Sequence, residues 1–303
     1  MPITRGQMQK ELLPGLHKIF GEYKQYPLQW PEIFERQNSN RSFEEELKIS
    51  GFGLAQVKSE GSAVAYDTAQ EAFTARYNHV TYALAFALTE EAIEDNLYTS
   101  TAKRYTAALR RSMINTQEIV AAGVLNNGFT PGVNGGDGVP LFSTSHPLVS
   151  GGVNGNRPAT DADLNETSLD NARIQIGKWV DERGLLIAAR AVKMVIPIDY
   201  EWTAERLTKT VLKVGSSNND INPIQSTSFV PGGYVVNNRL TDPNAWFLKT
   251  DVTDGLKFFE RIPMKFSDDG DWETGNMRYK ARMRFSVGWS DPLGMYGSSG
   301  SAT

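Results

Sequence analysis

The stretch that decides the fold is TEEAIEDNLYTSTAKRYTAALRRSMINTQEIVAAGVLNNGF, which runs from Thr89 to Phe129. It contains no proline, and its large apolar side chains recur at steps of three and four residues, as on one face of an amphipathic helix. These side chains are Ile93, Leu97, Tyr105, Leu109, Met113, Val120 and Val124. We expect this stripe to be buried and the charged residues between its members to lie in solvent, namely Arg104, Arg110, Arg111 and Glu118.

The ends of this helix are also marked in the sequence. Thr89 can cap the first turn, the two glutamates after it suit the positive end of the helix dipole, and Asn127–Gly128 supplies a stop. A helix from Thr89 to Asn127 would be about 57 Å long, at ~1.5 Å per residue, which is several times the average length. Such a helix is suited to act as a strut that carries load across a whole domain.

The composition limits the class of protein. With 303 residues, of which 40% are hydrophobic, the chain can bury the core of one elaborated domain or of two smaller ones. A net charge of -4 leaves only a local basic surface for nucleic acid. Because cysteine is absent, the chain forms no disulfide and no thiolate site. No apolar run is long enough for a signal peptide or a membrane span, so we expect residence in the cytosol and no membrane partner.

The segments before the long helix differ from it in kind. Residues 1–42 are polar and rich in proline, with one short helical pattern near Met8–Phe20, and we interpret them as an arm. Residues 43–88 predict two strands that run out and back, and the returning one places five apolar side chains on one face, although its YALAFAL alone could also form a helix. These are Val80, Tyr82, Leu84, Phe86 and Leu88. The outer part, residues 51–74, is too poor in bulky side chains to form a core, so it needs another surface to lie on.

A mixed segment follows the long helix and a glycine-rich loop. TSLDNARIQIGKWVDERG predicts a helix with Thr167 or Ser168 as its cap. RAVKMVIP predicts a strand, the residues after Pro197 a second helix, and GGYVVNNRL and AWFLKT two further strands. The order α, β, α, β, β predicts an α+β fold class.

The last predicted strand, NMRYKARMRFSVGW, alternates between apolar and basic side chains. One face carries Met277, Tyr279, Ala281, Met283, Phe285, Val287 and Trp289. The other face carries Arg278, Lys280, Arg282 and Arg284, which we call the basic ridge. The first face is expected to be buried and the ridge to need counter-charge or solvent.

The search for catalytic and metal-binding motifs gives weak candidates only. The chain lacks the GxxxxGK[ST], HExxH, GxSxG and GxGxxG motifs, and its three histidines are far apart in the sequence. Ser145 and His146 could serve a Ser/His hydrolase, but sequence neighbours rarely reach the required geometry, and a tight loop is favoured. The carboxylates of Glu44–Glu46 and of residues 268–271 could bind calcium, although such runs are more often solvated turns. We therefore predict no catalytic residue, cofactor, metal or enzymatic activity.

Taken in order, these segments resemble a tailed-phage major capsid protein of the Hong Kong ninety-seven type fold. The long helix leading into LFSTSHP is similar to the major head subunits of Mu-like phages, and LTDPNAWFL and SVGWSDPLGMYG add to the likeness. The resemblance implies an N-terminal arm (1–42), an extended β-hairpin loop (43–88) and an axial domain (165–250). It also implies a peripheral domain (89–164 and 251–303) that contains the long helix as its spine.

The same resemblance implies a function and partners. The chain would be a structural protein that self-assembles, as hexamers and pentamers, into an icosahedral head around double-stranded DNA, which it contacts without sequence specificity. It would belong to the virion, assemble in the bacterial host cytoplasm, and meet portal and scaffold or decoration proteins. Because the arm begins almost at Met1, a separate scaffold, or none, is expected. Two alternatives stay open: an encapsulin-type nanocompartment shell and, from another class, the Ser/His hydrolase.

Three interpretations of the basic ridge follow from this resemblance. The ridge could lie on an edge strand, where basic side chains prevent aggregation and solvent satisfies the charge. It could pair with acidic residues of a neighbouring subunit's extended loop, for which Glu60, Asp67 and Glu71 are the candidates. It could instead contact the phosphates of packaged DNA.

Overall fold

Two four-stranded sheets and one long helix form the framework of the computed structural model, which describes residues 15–21, 27–89, 98–213, 220–271 and 273–301. The helices are α1 (residues 15–21), α2 (Tyr98–Asn126), α3 (Glu166–Gly177), α4 (Glu201–Lys209) and α5 (Pro223–Ser226). Strands β1 to β6 are Glu35–Asn38, Phe43–Ile49, Glu71–Asn78, Val80–Leu88, His146–Pro147 and Val153–Asn154. Strands β7 to β12 are Ala191–Ile196, Tyr234–Val236, Trp246–Thr250, Leu256–Gly270, Met277–Trp289 and Met295–Ser298. The mixture of helix and sheet confirms the α+β class.

Helix α2 is the predicted long helix. It is 29 residues long and ends at Asn126, where the Asn127–Gly128 stop was expected. The predicted first turns, with Ile93 and Leu97, fall on residues 90–97 and lie outside the described residues. Leu109 and Met113 are buried as predicted, whereas Tyr105 is 50% exposed.

Glu118 corrects the prediction that the charged residues of this helix lie in solvent. Its side chain is buried, and its carboxylate accepts hydrogen bonds from the backbone N–H groups of Gln29, at 2.7 Å, and Trp30, at 3.2 Å. These N–H groups open a 3-10 turn (Trp30–Glu32) and have no acceptor within it, so a carboxylate from another element can cap them. Burial raises the pKa of Glu118, and these hydrogen bonds oppose the rise.

The first sheet has the strand order β1-β10-β11-β4, and β10 and β11 are its two long antiparallel strands. Helix α2 packs against β4 and β11, and the shared core includes the stacked rings of Trp30, Phe258 and Phe285. Strand β1 pairs in parallel with β10. Trp30, Ile33 and Phe34, which lie within the predicted arm, are buried in the core of their own chain.

Strands β2 and β3 form a separate two-stranded antiparallel sheet, and we call the segment from β2 to the end of β3 the hairpin. Residues 51–70 between them contain no helix or strand. Val80–Leu88 is a strand as predicted, but it does not pair with β2. After His79 the chain leaves the hairpin, and β4 pairs with β11 in the first sheet.

The second sheet has the order β12-β9-β7-β8, with α3 and α4 in the same core. The predicted sequence of elements is observed, with the short helix α5 added between α4 and β8. The cap of α3 is Asn165 and not Thr167 or Ser168, because the Asn165 side chain accepts the Ser168 N–H in a capping box. Strand β12 comes from the C-terminal region predicted to join the peripheral domain, so residues 295–298 pack with the segment predicted to be axial.

Candidate assembly surfaces

The basic ridge lies on β11 as the alternation predicted. The apolar face from Met277 to Phe285 is buried, while Arg278, Lys280 and Arg282 are exposed and Arg284 is half-buried. The interpretation of β11 as an edge strand is wrong, since β11 lies between β10 and β4 and both of its edges are paired. The ridge therefore crosses the middle of an exposed sheet face, where preventing edge-to-edge aggregation is no explanation for its charge.

Small side chains border the ridge on one side. On β4, the residues opposite Arg284, Arg282, Lys280 and Arg278 are Thr81, Ala83, Ala85 and Ala87. Arg278 donates to Asp271, and Thr274 and the charge of Arg278 hold the pKa of that carboxyl below its usual value. Lys280 and Arg282 form no ion pair with any residue that the structure describes. This face of the sheet thus carries the unpaired charges of Lys280 and Arg282 next to a row of small side chains on β4.

The three acidic candidates for the ridge stand in different environments. Glu60 and Glu71 are exposed. Asp67 already has a partner in its own chain, since Nη2 of Arg183 lies 2.9 Å from both of its carboxylate oxygens. Hydrogen bonds from Gly53 and Thr68, together with Arg183, lower the pKa of Asp67. This pairing leaves Glu60 and Glu71 as the candidates with free carboxylates at the surface.

One face of β2 in the hairpin turns toward the rest of the chain and carries charged side chains, whereas the other turns to solvent and carries three apolar side chains and Glu45. Glu44, Glu46 and Lys48 are half-buried, whereas Phe43, Leu47 and Ile49 are 37%, 42% and 60% exposed. The exposed apolar side chains continue along residues 51–70, where Leu54 is 80% and Tyr66 98% exposed. An extended apolar surface of this kind on a folded chain indicates a site of association.

Two lysines, the buried Lys257 and the half-buried Lys48, join the charged face of β2 to the rest of the chain. Lys257 of β10 is 2% exposed, and its Nζ lies 2.5 Å from Glu46 and 2.6 Å from Asp254. Lys48 of β2 lies 2.9 Å from Glu182 and 2.9 Å from Asp291. Burial lowers the pKa of both lysines, and their carboxylate partners raise it by more, so both pKa values lie above the ordinary one.

Sequence reasoning missed this cluster. The only local signal is the alternation within FEEELKI, which places Glu44, Glu46 and Lys48 on one face of a strand. An amphipathic strand is normally interpreted with its apolar face inward, which is the opposite of what the structure shows. Lys257, Glu182 and Asp291 come from three distant segments, so no spacing in the sequence joins them.

The loop that contains Ser145 and His146 is held by structural hydrogen bonds. His146 is buried, with Nδ1 2.6 Å from Asp137 and Nε2 3.1 Å from Asn156, so both ring nitrogens have partners other than serine. Ser143 Oγ accepts the Ser145 N–H at 3.1 Å, as expected for a tight loop. This geometry does not assemble a nucleophile and a base.

The residues that the structure describes contain neither a metal-binding cluster nor a membrane-spanning helix. Within them, no group of three or more histidine, aspartate or glutamate side chains is placed to hold a metal ion. None of their helices has the length and apolar character needed to span a membrane.

The chain is similar to known proteins in sequence and in fold. A family model described as phage capsid protein matches residues 71–298. Among solved structures, the capsid of Myoviridae phage XM1 aligns over 91% of this chain and 92% of its own, with 11% identity and a TM-score of 0.55. The capsid of the native GTA particle aligns over 93% and 97%, with 14% identity and a TM-score of 0.55. A structure from Mycobacterium phage Patience aligns over 99% and 89%, with 10% identity and a TM-score of 0.55. At these identities the likeness concerns the fold. A search of curated proteins finds no match.

Proposed function

The chain belongs to the phage capsid protein family, and we propose from this premise that it assembles, as hexamers and pentamers, into an icosahedral head around double-stranded phage DNA. It is a structural major capsid protein with the Hong Kong ninety-seven type fold, and therefore a component of a virion capsid that associates with copies of itself. The observation that best supports the proposal is the hairpin, whose apolar face is exposed although the hairpin is fixed to its own chain by charge.

We further propose how the parts divide the work. Helix α2 and the long strands β10 and β11 form a stiff plate that carries load between neighbours, as the peripheral domain. Residues 165–250, with β12 added to their sheet, form the axial domain. The hairpin, including its residues 51–70, acts as a strap, because it exposes apolar side chains that it does not bury within the chain.

The basic ridge gives this strap a place to lie. Lys280 and Arg282 lack carboxylate partners among the described residues, and the alanines of β4 beside them leave room for an extended segment. Glu60 or Glu71 of a neighbouring strap would supply the counter-charge. Each exposed pair contributes only ~0–1 kcal/mol, but the contact would repeat in every subunit of a shell. Contact of the ridge with DNA phosphates is the second candidate, favoured by the same unpaired positive charge.

The chain's role is structural and not catalytic. We propose that it assembles in the bacterial host cytoplasm, meets portal and scaffold or decoration proteins, and uses no cofactor. The environment of His146 supports this proposal, because Asp137 and Asn156 occupy both of its ring nitrogens.

The contents of purified particles test this function. Negative-stain microscopy of the protein from infected or induced cells should show closed shells, and their absorbance at 260 nm should reveal nucleic acid. Shells that instead carry a co-purifying enzyme and no nucleic acid would favour the nanocompartment. A monomer that turns over an ester or peptide substrate would contradict the structural role.

A further inference from the structure

The hairpin has little apolar contact with the rest of its own chain. Tyr77 of β3 packs on Phe259 of β10, with ring centroids 4.7 Å apart, and Ala75 completes this small cluster. The larger apolar side chains of β2 point away from the chain. What holds the hairpin in position must therefore be found among its polar side chains.

The ion pairs between β2 and the rest of the chain have both polarities. The hairpin gives a carboxylate, Glu46, to the buried lysine Lys257, and gives a lysine, Lys48, to the buried carboxylate Glu182. Asp291 also accepts from Lys48. Because Glu46 and Lys48 are two residues apart on one strand, they point in the same direction, and both pairs can form in only one orientation of β2.

A third contact lies further along the hairpin. Asp67 binds Arg183, which follows Glu182 in the turn between α3 and β7. The same turn therefore holds the hairpin at two points, once through Lys48 and once through Asp67. Together these contacts define what we call the clamp: Glu46, Lys48 and Asp67 of the hairpin with Lys257, Glu182, Asp291 and Arg183 of the body.

We propose that the clamp sets the direction in which the hairpin leaves the body, and so keeps its apolar row of Phe43, Leu47 and Ile49 turned outward for a second copy of the chain. A hairpin rotated to bury this row against its own body would leave Glu182 buried without counter-charge and Lys257 with Asp254 as its one carboxylate partner among the described residues, and an unpaired buried charge is strongly unfavourable. The clamp thus opposes the collapse that the apolar row would otherwise favour. The role of the clamp in assembly rests on the proposed function. The orientation of the hairpin, however, is a property of a single chain and can be measured without assembly.

Distances measured in the unassembled chain test the clamp. Since the natural chain has no cysteine, spin labels can be placed at Ser59→Cys, near the end of the hairpin, and Asp170→Cys, on α3, both of which are exposed. With the clamp intact we expect one narrow distance distribution. Lys48→Met keeps an unbranched side chain of similar length and removes the charge, and it should broaden the distribution. A second label pair, Arg104→Cys with Asp170→Cys, reports whether the body stays folded.

A charge swap separates the clamp from a general loss of stability. Glu46→Lys alone should broaden the hairpin distance, and Glu46→Lys combined with Lys257→Glu should narrow it again, because the cluster with Asp254 then has its original composition. An unchanged narrow distribution in Lys48→Met would overturn the proposal, as would a swap that restores nothing while the body pair stays narrow. If Lys48→Met unfolds the body, the charge swap of Glu46→Lys with Lys257→Glu alone tests the proposal. If the natural chain forms no shells, the proposed function fails, yet these distances still test the clamp.

Discussion

At the scale of single residues, Glu118 joins the N-terminal segment to the long helix. Its buried carboxylate caps the N–H groups of the half-buried Gln29 and the buried Trp30. We expect Glu118→Ala to lower the free energy of unfolding by about 1–3 kcal/mol, because it leaves buried donors without an acceptor. Urea unfolding of the isolated subunit measures this. Glu118→Gln, which keeps one acceptor oxygen, should cost less, and an alanine variant within ~0.5 kcal/mol of the natural chain would contradict this role.

The lysines of the clamp predict a dependence on alkaline pH. The folded pKa values of Lys48 and Lys257 are raised above the ordinary value. Their contribution to stability is therefore complete below the unfolded pKa and is lost as the pH rises through the folded pKa. Hydrogen exchange of the β3 amides, corrected for the intrinsic rate, should lose protection above about pH 10.4, the ordinary lysine pKa. Lys48→Met should weaken this loss, and an equal loss in both proteins would assign it to other groups.

At the scale of elements, the long helix depends on one buried stripe. Leu109 is 4% exposed, whereas Ile119 on the same helix is 60% exposed. Leu109→Asp would bury an unpaired carboxylate at a cost of several kcal/mol, enough to prevent folding of a marginally stable domain. Ile119→Asp makes the same kind of change on the exposed face and should leave a folded subunit. Circular dichroism and solubility compare the two, and equal tolerance would mean that the stripe is not buried.

The basic ridge predicts an effect on assembly that depends on salt. Lys280→Glu with Arg282→Glu reverses the two unpaired charges of the ridge. The yield of empty shells should fall several-fold at low salt and partly recover at high salt, since screening weakens the new repulsion. Arg173→Glu with Lys178→Glu, exposed residues at α3, makes the same charge change elsewhere. A defect confined to DNA-filled heads would assign the ridge to packaged DNA, and an unchanged yield would exclude strap pairing.

The sequence predicts the elements better than the sites. Helix α2 and strand β11 were predictable because each repeats its pattern over many residues, and such patterns survive most tertiary contacts. The pairing of β4 with β11 was not, since the chain passes from the hairpin to the first sheet at His79 without a turn signal. The clamp was hidden for a different reason: its charges pair across more than 100 positions, and a charged face inward reverses the usual pattern.

At the scale of the whole molecule, the chain is built to be completed by copies of itself. The core of the first sheet includes residues of the N-terminal segment, and the core of the second sheet includes β12 from the C-terminal end, so both segments belong to the folded cores of the chain. The hairpin is the exception, because it exposes the apolar side chains that an isolated chain would bury. Assembly of this chain into a shell would cover these exposed apolar side chains.

A cryo-EM reconstruction of shells formed by the full chain tests this account most directly. The account predicts an icosahedral shell of hexamers and pentamers in which the hairpin of one subunit lies on its neighbour, with Phe43, Leu47 and Ile49 covered and the lysines of the clamp still paired. A particle without this symmetry, or a shell in which the apolar row of the hairpin faces solvent in every subunit, would contradict it.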